Sequence, residues 1–282
     1  MQVSAIFRKL ALAPALSLLT ALGYSQPALA PGSAHYGFFQ EGKAVGEGDC
    51  TVQTTPGGYT VTSHGKLNLT KFSYSFTNTQ VLDGSLNLVR DQLDGTVNGS
   101  AVSFTAAADP TGKQFQIGVS ANGKQIQNTV DRHQHLVLLP DLDPAAYLLL
   151  AHVVLQTPRT SWILIPKEDG ILVPSTINPG AAVRGQLNGN QLSAQHATVA
   201  VNSENPVDIE IFYTPDGQAL EADLPQQNFQ VVRDGFKLLD HPKESAPRSQ
   251  PQSPQSGNRS SAKPSPQKFP APQGGYPQTE EQ

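Results

Sequence analysis

The sequence predicts a mainly β protein in which an antiparallel curved sheet, a half-barrel, wraps around one buried helix at about residues 143–155. Three observations predict this fold class. Turn-forming residues recur at short intervals, apolar and polar residues alternate between them, and one apolar segment follows a helix-capping pattern. The apolar face of a curved sheet must be covered, and a helix that is apolar on all sides is suited to cover it.

Turn-forming pairs separate a series of predicted strands through the middle of the chain. Asn-Gly pairs favour two-residue hairpin turns, in which both central residues need positive φ. Such pairs are Asn98-Gly99, Asn122-Gly123 and Asn188-Gly189. Between the turns, apolar side chains occupy every second position and so share one face of each strand. The clearest runs are Leu67 and Leu69, Phe72 to Phe76, and Val207 to Tyr213. The phase change between Leu69 and Phe72 predicts a β-bulge at Thr70 and Lys71.

One segment departs from strand periodicity and predicts the helix. Asp143 can cap free backbone N–H groups, and Pro144 is suited to the first helical turn. The following residues, up to Leu155, are apolar around nearly the whole helical circumference, and Pro158 ends the segment. A helix of this composition is expected to be buried rather than amphipathic. We expect His152, which lies within it, to be a hydrogen-bonded core histidine.

The first 30 residues have the features of a secretory signal peptide. Arg8 and Lys9 precede an apolar run that is too short to span a bilayer comfortably, and Ala28-Leu29-Ala30 forms a small-x-small cleavage motif. Because Pro31 directly follows Ala30, cleavage after Ser25 is the alternative. The protein is therefore expected to be secreted or periplasmic, with no transmembrane segment after signal removal. Cys50 is the single cysteine, so no internal disulfide is expected and a buried thiol is predicted.

The rest of the chain divides into one β-rich domain, residues 31–241, and a Pro/Ser/Gln-rich tail, residues 242–282. The tail lacks the apolar residues needed to offset its ordering entropy, so it is predicted to be disordered, and its composition does not identify a protein partner. Residues 31–241 carry 12 basic and 20 acidic side chains, a net charge of −8. This charge disfavours nucleic acid as a partner.

A cluster of possible metal ligands precedes the predicted helix. On a strand, Asp131, His133 and His135 would share one face, and two histidines with one carboxylate form a ligand set of catalytic zinc and non-haem iron. Successive same-face positions on a straight strand lie too far apart to bind one ion without a bend. We therefore expect no metal and no other cofactor, and these three residues remain the candidates for a metal-dependent enzyme.

Several short motifs carry a resemblance to known proteins. They are Tyr36 to Gly46, Leu139 to Asp143 before the predicted helix, Tyr213 to Gly217, and Arg233 to Phe236. Together they resemble uncharacterised secreted bacterial β-rich families and, more distantly, the open barrels of lipoprotein carriers, which bind acyl chains. The resemblance implies a fold and a ligand class. It transfers no ligand-binding residue to this sequence, so those residues stay unknown.

The sequence contains no Gly-x-Ser-x-Gly elbow, His-Glu-x-x-His helix, phosphate-binding glycine loop or Cys-x-x-Cys pair. With many inward apolar positions and no such motif, the leading hypothesis is a secreted, non-enzymatic protein that binds a lipid or other apolar ligand on the concave sheet face. A filled core without a cavity fits the same pattern. The alternatives are a metal-dependent enzyme using Asp131, His133 and His135, and a structural cell-envelope protein tethered by its Pro-rich tail.

Overall fold

Antiparallel hairpins build nearly all of the structure, a computed structural model that describes residues 28–156, 158–166, 170–204 and 206–240. These residues belong to one compact unit. Most of the predicted signal peptide and the whole predicted tail lie outside the described residues, so the domain boundaries stay predictions. Of the predicted signal peptide, residues 28–30 are described, and the Leu29 side chain is only 2% exposed within the hydrophobic core.

The described chain forms seventeen strands, one α-helix and one short 3₁₀-helix. The strands of the first half are β1 (Gly32–Gln40), β2 (Lys43–Thr55), β3 (Gly58–Leu69), β4 (Phe72–Asp83), β5 (Leu88–Val97), β6 (Ser100–Ala108), β7 (Gln114–Ala121), β8 (Lys124–Asp131) and β9 (Leu136–Leu138). After α1 (Pro144–Leu155) come β10 (Thr160–Ile165), β11 (Ile171–Pro179), β12 (Val183–Leu187), β13 (Asn190–Val201), β14 (Val207–Tyr213), β15 (Ala219–Leu224), the 3₁₀-helix (Pro225–Gln227), β16 (Phe229–Arg233) and β17 (Phe236–Leu238).

The main sheet is a long antiparallel array whose two terminal strands are β8 and β9. Its order is β8-β7-β6-β5-β4-β3-β2-β1-β16-β15-β14-β13-β11-β10-β9. Among the described strands, only β9 and β10 pair in parallel. The first part of β13 also pairs with β12, which pairs with β17 and forms a side branch. Within the described residues no pairing joins β8 to β9, so the curved sheet stays open, as predicted.

The single helix α1 occupies the inside of this curve, which confirms the predicted architecture. The Asp143 carboxylate accepts a hydrogen bond from the Ala145 N–H at 2.9 Å, and Pro144 stands in the first turn. Every residue from Pro144 to Val154 is buried. His152 is 1% exposed, and its Nδ1 lies 3.0 Å from the Leu148 carbonyl oxygen, which confirms its prediction as a core histidine. Cys50 is also buried, as predicted.

Paired glycines allow aromatic rings to lie flat on the concave face of the sheet. Gly48 on β2 faces Gly65 on β3, and Gly65 faces Phe76 on β4. A Cβ atom at Gly65 would lie 2.7 Å from the Phe76 ring, and one at Gly48 would lie 2.7 Å from the Phe38 ring. The two rings therefore occupy the space that side chains would take, as is usual where a strand glycine lets other groups approach closely.

The predicted hairpin turns are confirmed, and the predicted bulge is wrong. Asn98 has φ of 50° and Gly99 of 80°, and the pairs at 122–123 and 188–189 share this left-handed geometry. At Thr70 and Lys71 there is no bulge, because Leu69 pairs directly with Phe72 across a two-residue turn. The apolar pattern changes phase there because the chain reverses direction.

Candidate functional site

Two apolar cavities lie next to each other where the chain enters α1. Cavity A has a volume of about 300 Å³ and cavity B of about 580 Å³. Both fall within the range of 300–1,000 Å³ that is typical of small-molecule sites. The strand ends and turns around them belong to the same end of the curved sheet. Both cavities lie on the side of the sheet that α1 occupies, and the apolar residues that line them come from both halves of the chain.

Cavity A lies between the end of the β3–β4 hairpin and the strands of the second half of the sheet. Its apolar wall includes Leu67, Leu69, Val207, Ile209, Leu224 and Phe229. Tyr147 of α1 also lines the cavity, and burial raises the pKa of this phenol far above its usual range. Polar groups of Asp141, Ser203 and Gln227 also line the cavity. The arrangement combines an apolar interior with a few polar groups, as ligand sites do.

Cavity B lies under the strands β4 to β8, near the open edge of the sheet. Its apolar wall includes Tyr74, Leu93, Val97, Val102, Phe104 and Val119. Ile126 on the terminal strand β8 also lines the cavity and is 41% exposed. Lys124 and Asn122, in and beside the β7–β8 turn, add polar groups. The cavity therefore reaches the edge strand β8, which pairs only with β7 among the described strands.

Three residues line both cavities: Phe72, Pro140 and Asp141. Pro140 and Asp141 belong to the loop that leads from β9 into α1, and Leu142 in that loop has φ of 56°. Asp141 is exposed, whereas Asp143 is fully buried. The loop thus places one carboxylate at the junction of the two cavities and uses the other to cap the helix.

Buried polar groups hold the beginning of α1 against the sheet. The Asn78 side chain on β4 donates a hydrogen bond to Asp143 at 2.9 Å. Asp91 on β5 is 1% exposed; burial, and then the charge of Asp143, raises the pKa of Asp91 well above its usual range. Burial also raises the pKa of Asp143, although the hydrogen bond from Asn78 opposes that shift. No cationic side chain contributes to either shift, and burial is the larger cause of both.

The structure does not bring the predicted metal candidates to one strand face. Strand β8 ends at Asp131, and residues 132–135 form a loop. The His133 ring stacks on Trp162 with centroids 3.9 Å apart, His135 has a left-handed φ of 55°, and Asp131 accepts a hydrogen bond from Gln114 at 3.1 Å. Among the described residues, no group of three or more His, Cys, Asp or Glu side chains is arranged to hold a metal ion.

A second titratable cluster, missed by the sequence reasoning, lies on the outer face of the sheet. Asp49 on β2 lies 2.7 Å from His35 Nδ1 on β1 and 2.9 Å from His64 Nε2 on β3. The hydrogen bond with Asp49 raises the pKa of His35. The pairing register of the strands brings this cluster together, because His35 lies opposite Asp49 and Asp49 lies opposite His64. Local sequence patterns do not contain that register.

Comparison with known proteins supports the fold alone. No protein-family model and no curated protein matches the chain. Among solved structures, a β-barrel-like protein with a domain of unknown function from Brucella abortus has a TM-score of 0.52 and 11% identity, covering 76% of this chain and 99% of its own. A second structure is that of a Pseudomonas aeruginosa protein from a family of unknown function. It has a TM-score of 0.41 and 9% identity, covering 66% of this chain and 91% of its own. The first similarity places this chain among barrel-like β folds.

The described part of the chain contains no helix with the length and hydropathy of a membrane span.

Proposed function

We propose that this is a secreted, non-enzymatic protein that binds a lipid or other apolar ligand in the concavity of its open sheet. The single observation that supports this proposal is the pair of apolar cavities A and B beside the start of α1. The signal-peptide pattern of the first 30 residues supports export. Acyl-chain binding by lipoprotein carriers, which the sequence motifs resemble, is consistent with this ligand class.

The cavities also have the physical properties that apolar binding requires. Their walls consist of leucine, valine and aromatic side chains, and a ligand there would remove those side chains and its own apolar surface from water. Most of the wall residues lie on strands, and these strands are paired on both sides apart from β8, so most of the site exists before any ligand arrives. A preformed site loses less free energy to ordering when it binds.

The proposal is tested by measuring what the exported protein carries and what it binds. The protein is purified without detergent from a bacterial host that exports it through its own leader, and an organic extract is analysed by mass spectrometry. Binding is then titrated with cis-parinaric acid, a fluorescent fatty acid. We expect a copurified apolar compound and saturable binding of the fatty acid.

Three matched valine-to-tryptophan variants locate the bound fatty acid. Val207 lines cavity A and Val102 lines cavity B, whereas Val89 is 38% exposed and lines neither. The double variant Val102→Trp, Val207→Trp should lose binding, and Val89→Trp should bind like the wild type. Absence of saturable binding, or equal binding by the double variant with its fold intact by circular dichroism, would overturn the proposal.

A further inference from the structure

We infer that cavity B binds one fatty acid, with the acyl chain inside the cavity and the carboxylate paired with the ammonium group of Lys124. This inference rests on the proposed function and specifies the ligand class of one of its two cavities. The observation that carries it is the position of Lys124 in the wall of cavity B, at the end of the β7–β8 hairpin.

The strand register places Lys124 on the concave face of the sheet. Ile126 lies directly opposite Val119, and Lys124 lies opposite Ala121. Side chains at every second position share one face of a strand, so Lys124 and Ile126 point to the same side of β8. All four residues line cavity B. Lys124 is therefore part of the cavity wall as well as of the hairpin end.

The Lys124 ammonium is available to an anionic ligand. Among the described residues that line the two cavities, Lys124 is the only basic one, and its side chain has no ion pair with another described residue. Asp141, the acidic residue of the same wall, has an interaction partner of its own within the protein. A carboxylate beside Lys124 accepts a charge-assisted hydrogen bond. One ammonium matches the single charge of a fatty acid better than the charge of about −2 on a phosphate monoester.

The cavity has room for one long chain, and its wall reaches the edge of the sheet. A methylene group takes up about as much space as the roughly 30 Å³ of a water molecule in the liquid. A volume of about 580 Å³ then holds a chain of up to about twenty carbons. Ile126, in the same wall, is 41% exposed, so the apolar surface continues to the edge where Lys124 is exposed. A lysine stem can lie along such a surface while its ammonium stays in water.

The test compares three ligands that share one chain and differ in the charge of a small head: dodecanoate, 1-dodecanol and dodecylamine. Their dissociation constants for the full exported protein are measured by isothermal titration calorimetry near neutral pH. We expect dodecanoate to bind about three- to fivefold more tightly than 1-dodecanol, the advantage expected of a partly exposed ion pair. Dodecylamine should bind most weakly, because its head has the same charge as Lys124.

Lysine variants show whether Lys124 causes this preference. Lys124→Met keeps a flexible aliphatic side chain and removes the charge, so it should bind dodecanoate and 1-dodecanol equally. Lys124→Arg should retain the preference for dodecanoate. The matched control is Lys113→Met, which removes an exposed lysine from the β6–β7 turn that lines neither cavity. It should behave like the wild type.

Cavity variants separate this inference from the proposed function. Val102→Trp, in cavity B, should weaken dodecanoate binding about tenfold because it overfills the cavity, whereas Val207→Trp, in cavity A, should keep the preference for dodecanoate. If the wild type binds none of the three ligands, the proposed function fails. If it binds them without favouring dodecanoate, or if Lys124→Met keeps the preference or Val102→Trp keeps the affinity, only the fatty-acid inference fails. Tighter binding of dodecylamine than of dodecanoate would also overturn that inference alone.

Discussion

Two acidic side chains, Asp91 and Asp143, lie in the interior of this protein close to the start of its only described α-helix. Asp143 caps the helix and accepts the Asn78 hydrogen bond, so its polar atoms have partners. The pKa of Asp91 is raised well above its usual range, first because its side chain is buried and then because of the negative charge of Asp143. The interior thus holds a carboxylic acid that loses its proton less readily than it does in the unfolded chain.

We predict that Asp91→Asn stabilises the protein increasingly as pH rises. The folded-state pKa of Asp91 lies above the unfolded value near 3.9. As pH rises from the unfolded to the folded pKa, the free energy of unfolding of the wild type therefore falls. The uncharged asparagine removes this loss. The gain in the free energy of unfolding should be small near pH 3.5 and should grow by up to about 1.4 kcal/mol per pH unit. Denaturant unfolding between pH 3.5 and 8 measures it.

Two comparisons make the Asp91 measurement specific. Burial and the nearby Asp223 raise the pKa of Glu221 to about 8. Glu221 therefore makes the free energy of unfolding depend on pH in a similar way in the wild type and in Asp91→Asn. Its contribution cancels when the two proteins are compared. Asp94→Asn removes a carboxylate from the exposed face of the same strand, so it should change stability by less than about 0.5 kcal/mol at every pH. A difference between Asp91→Asn and wild type that does not vary with pH would show that Asp91 ionises normally.

At the scale of elements, α1 acts as the core around which the sheet curves. We predict that Leu149→Ala lowers the free energy of unfolding by about 2 to 5 kcal/mol, because the side chain is 6% exposed and its removal leaves a cavity. Val89→Ala, on an exposed position of β5, should cost less than about 0.5 kcal/mol. Chemical denaturation measures both. Equal effects of the two variants would contradict the central position of the helix.

The glycines of the concave face make a second prediction at this scale. Gly65→Ala should destabilise the protein by about 1 to 3 kcal/mol, since its Cβ would lie 2.7 Å from the Phe76 ring and 3.2 Å from the Phe38 ring. The control is Gly57→Ala in the β2–β3 turn, where nothing lies within 4 Å of the new atom. Thermal melting of both variants is the measurement. A Gly65→Ala protein that melts with the control would mean that the two rings can move aside.

The elements that the sequence predicted well depend on local interactions. Asp143 and Pro144 define the start of α1, and Asn-Gly pairs define hairpin turns, because capping and positive φ involve only neighbouring residues. The failed predictions depended on where a strand ends. The supposed bulge at Thr70 is a turn, and β8 stops at Asp131 before His133 and His135. Cavities and the Asn78 to Asp143 hydrogen bond require the register of distant strands, which local patterns do not contain.

At the scale of the whole molecule, the described residues belong to one compact unit. We predict that deleting residues 242–282 leaves the melting temperature within about 2 °C, since the Pro/Ser/Gln-rich composition offers little apolar area to bury. Calorimetry of the full-length and shortened proteins tests this. A drop of several degrees would mean that Phe269 or Tyr276 packs against the domain.

The position of Leu29 bears on where the predicted signal peptide is cut. This buried side chain stands between the two predicted cleavage positions, after Ser25 and after Ala30. A signal peptidase that cut after Ala30 would remove a core residue, a loss comparable to a large-to-small substitution of about 2 to 5 kcal/mol. Selection for a stable product therefore favours the earlier cut. The intact mass of the exported protein should correspond to a chain beginning at Gln26, whereas a stable product beginning at Pro31 would show that the core does not need Leu29.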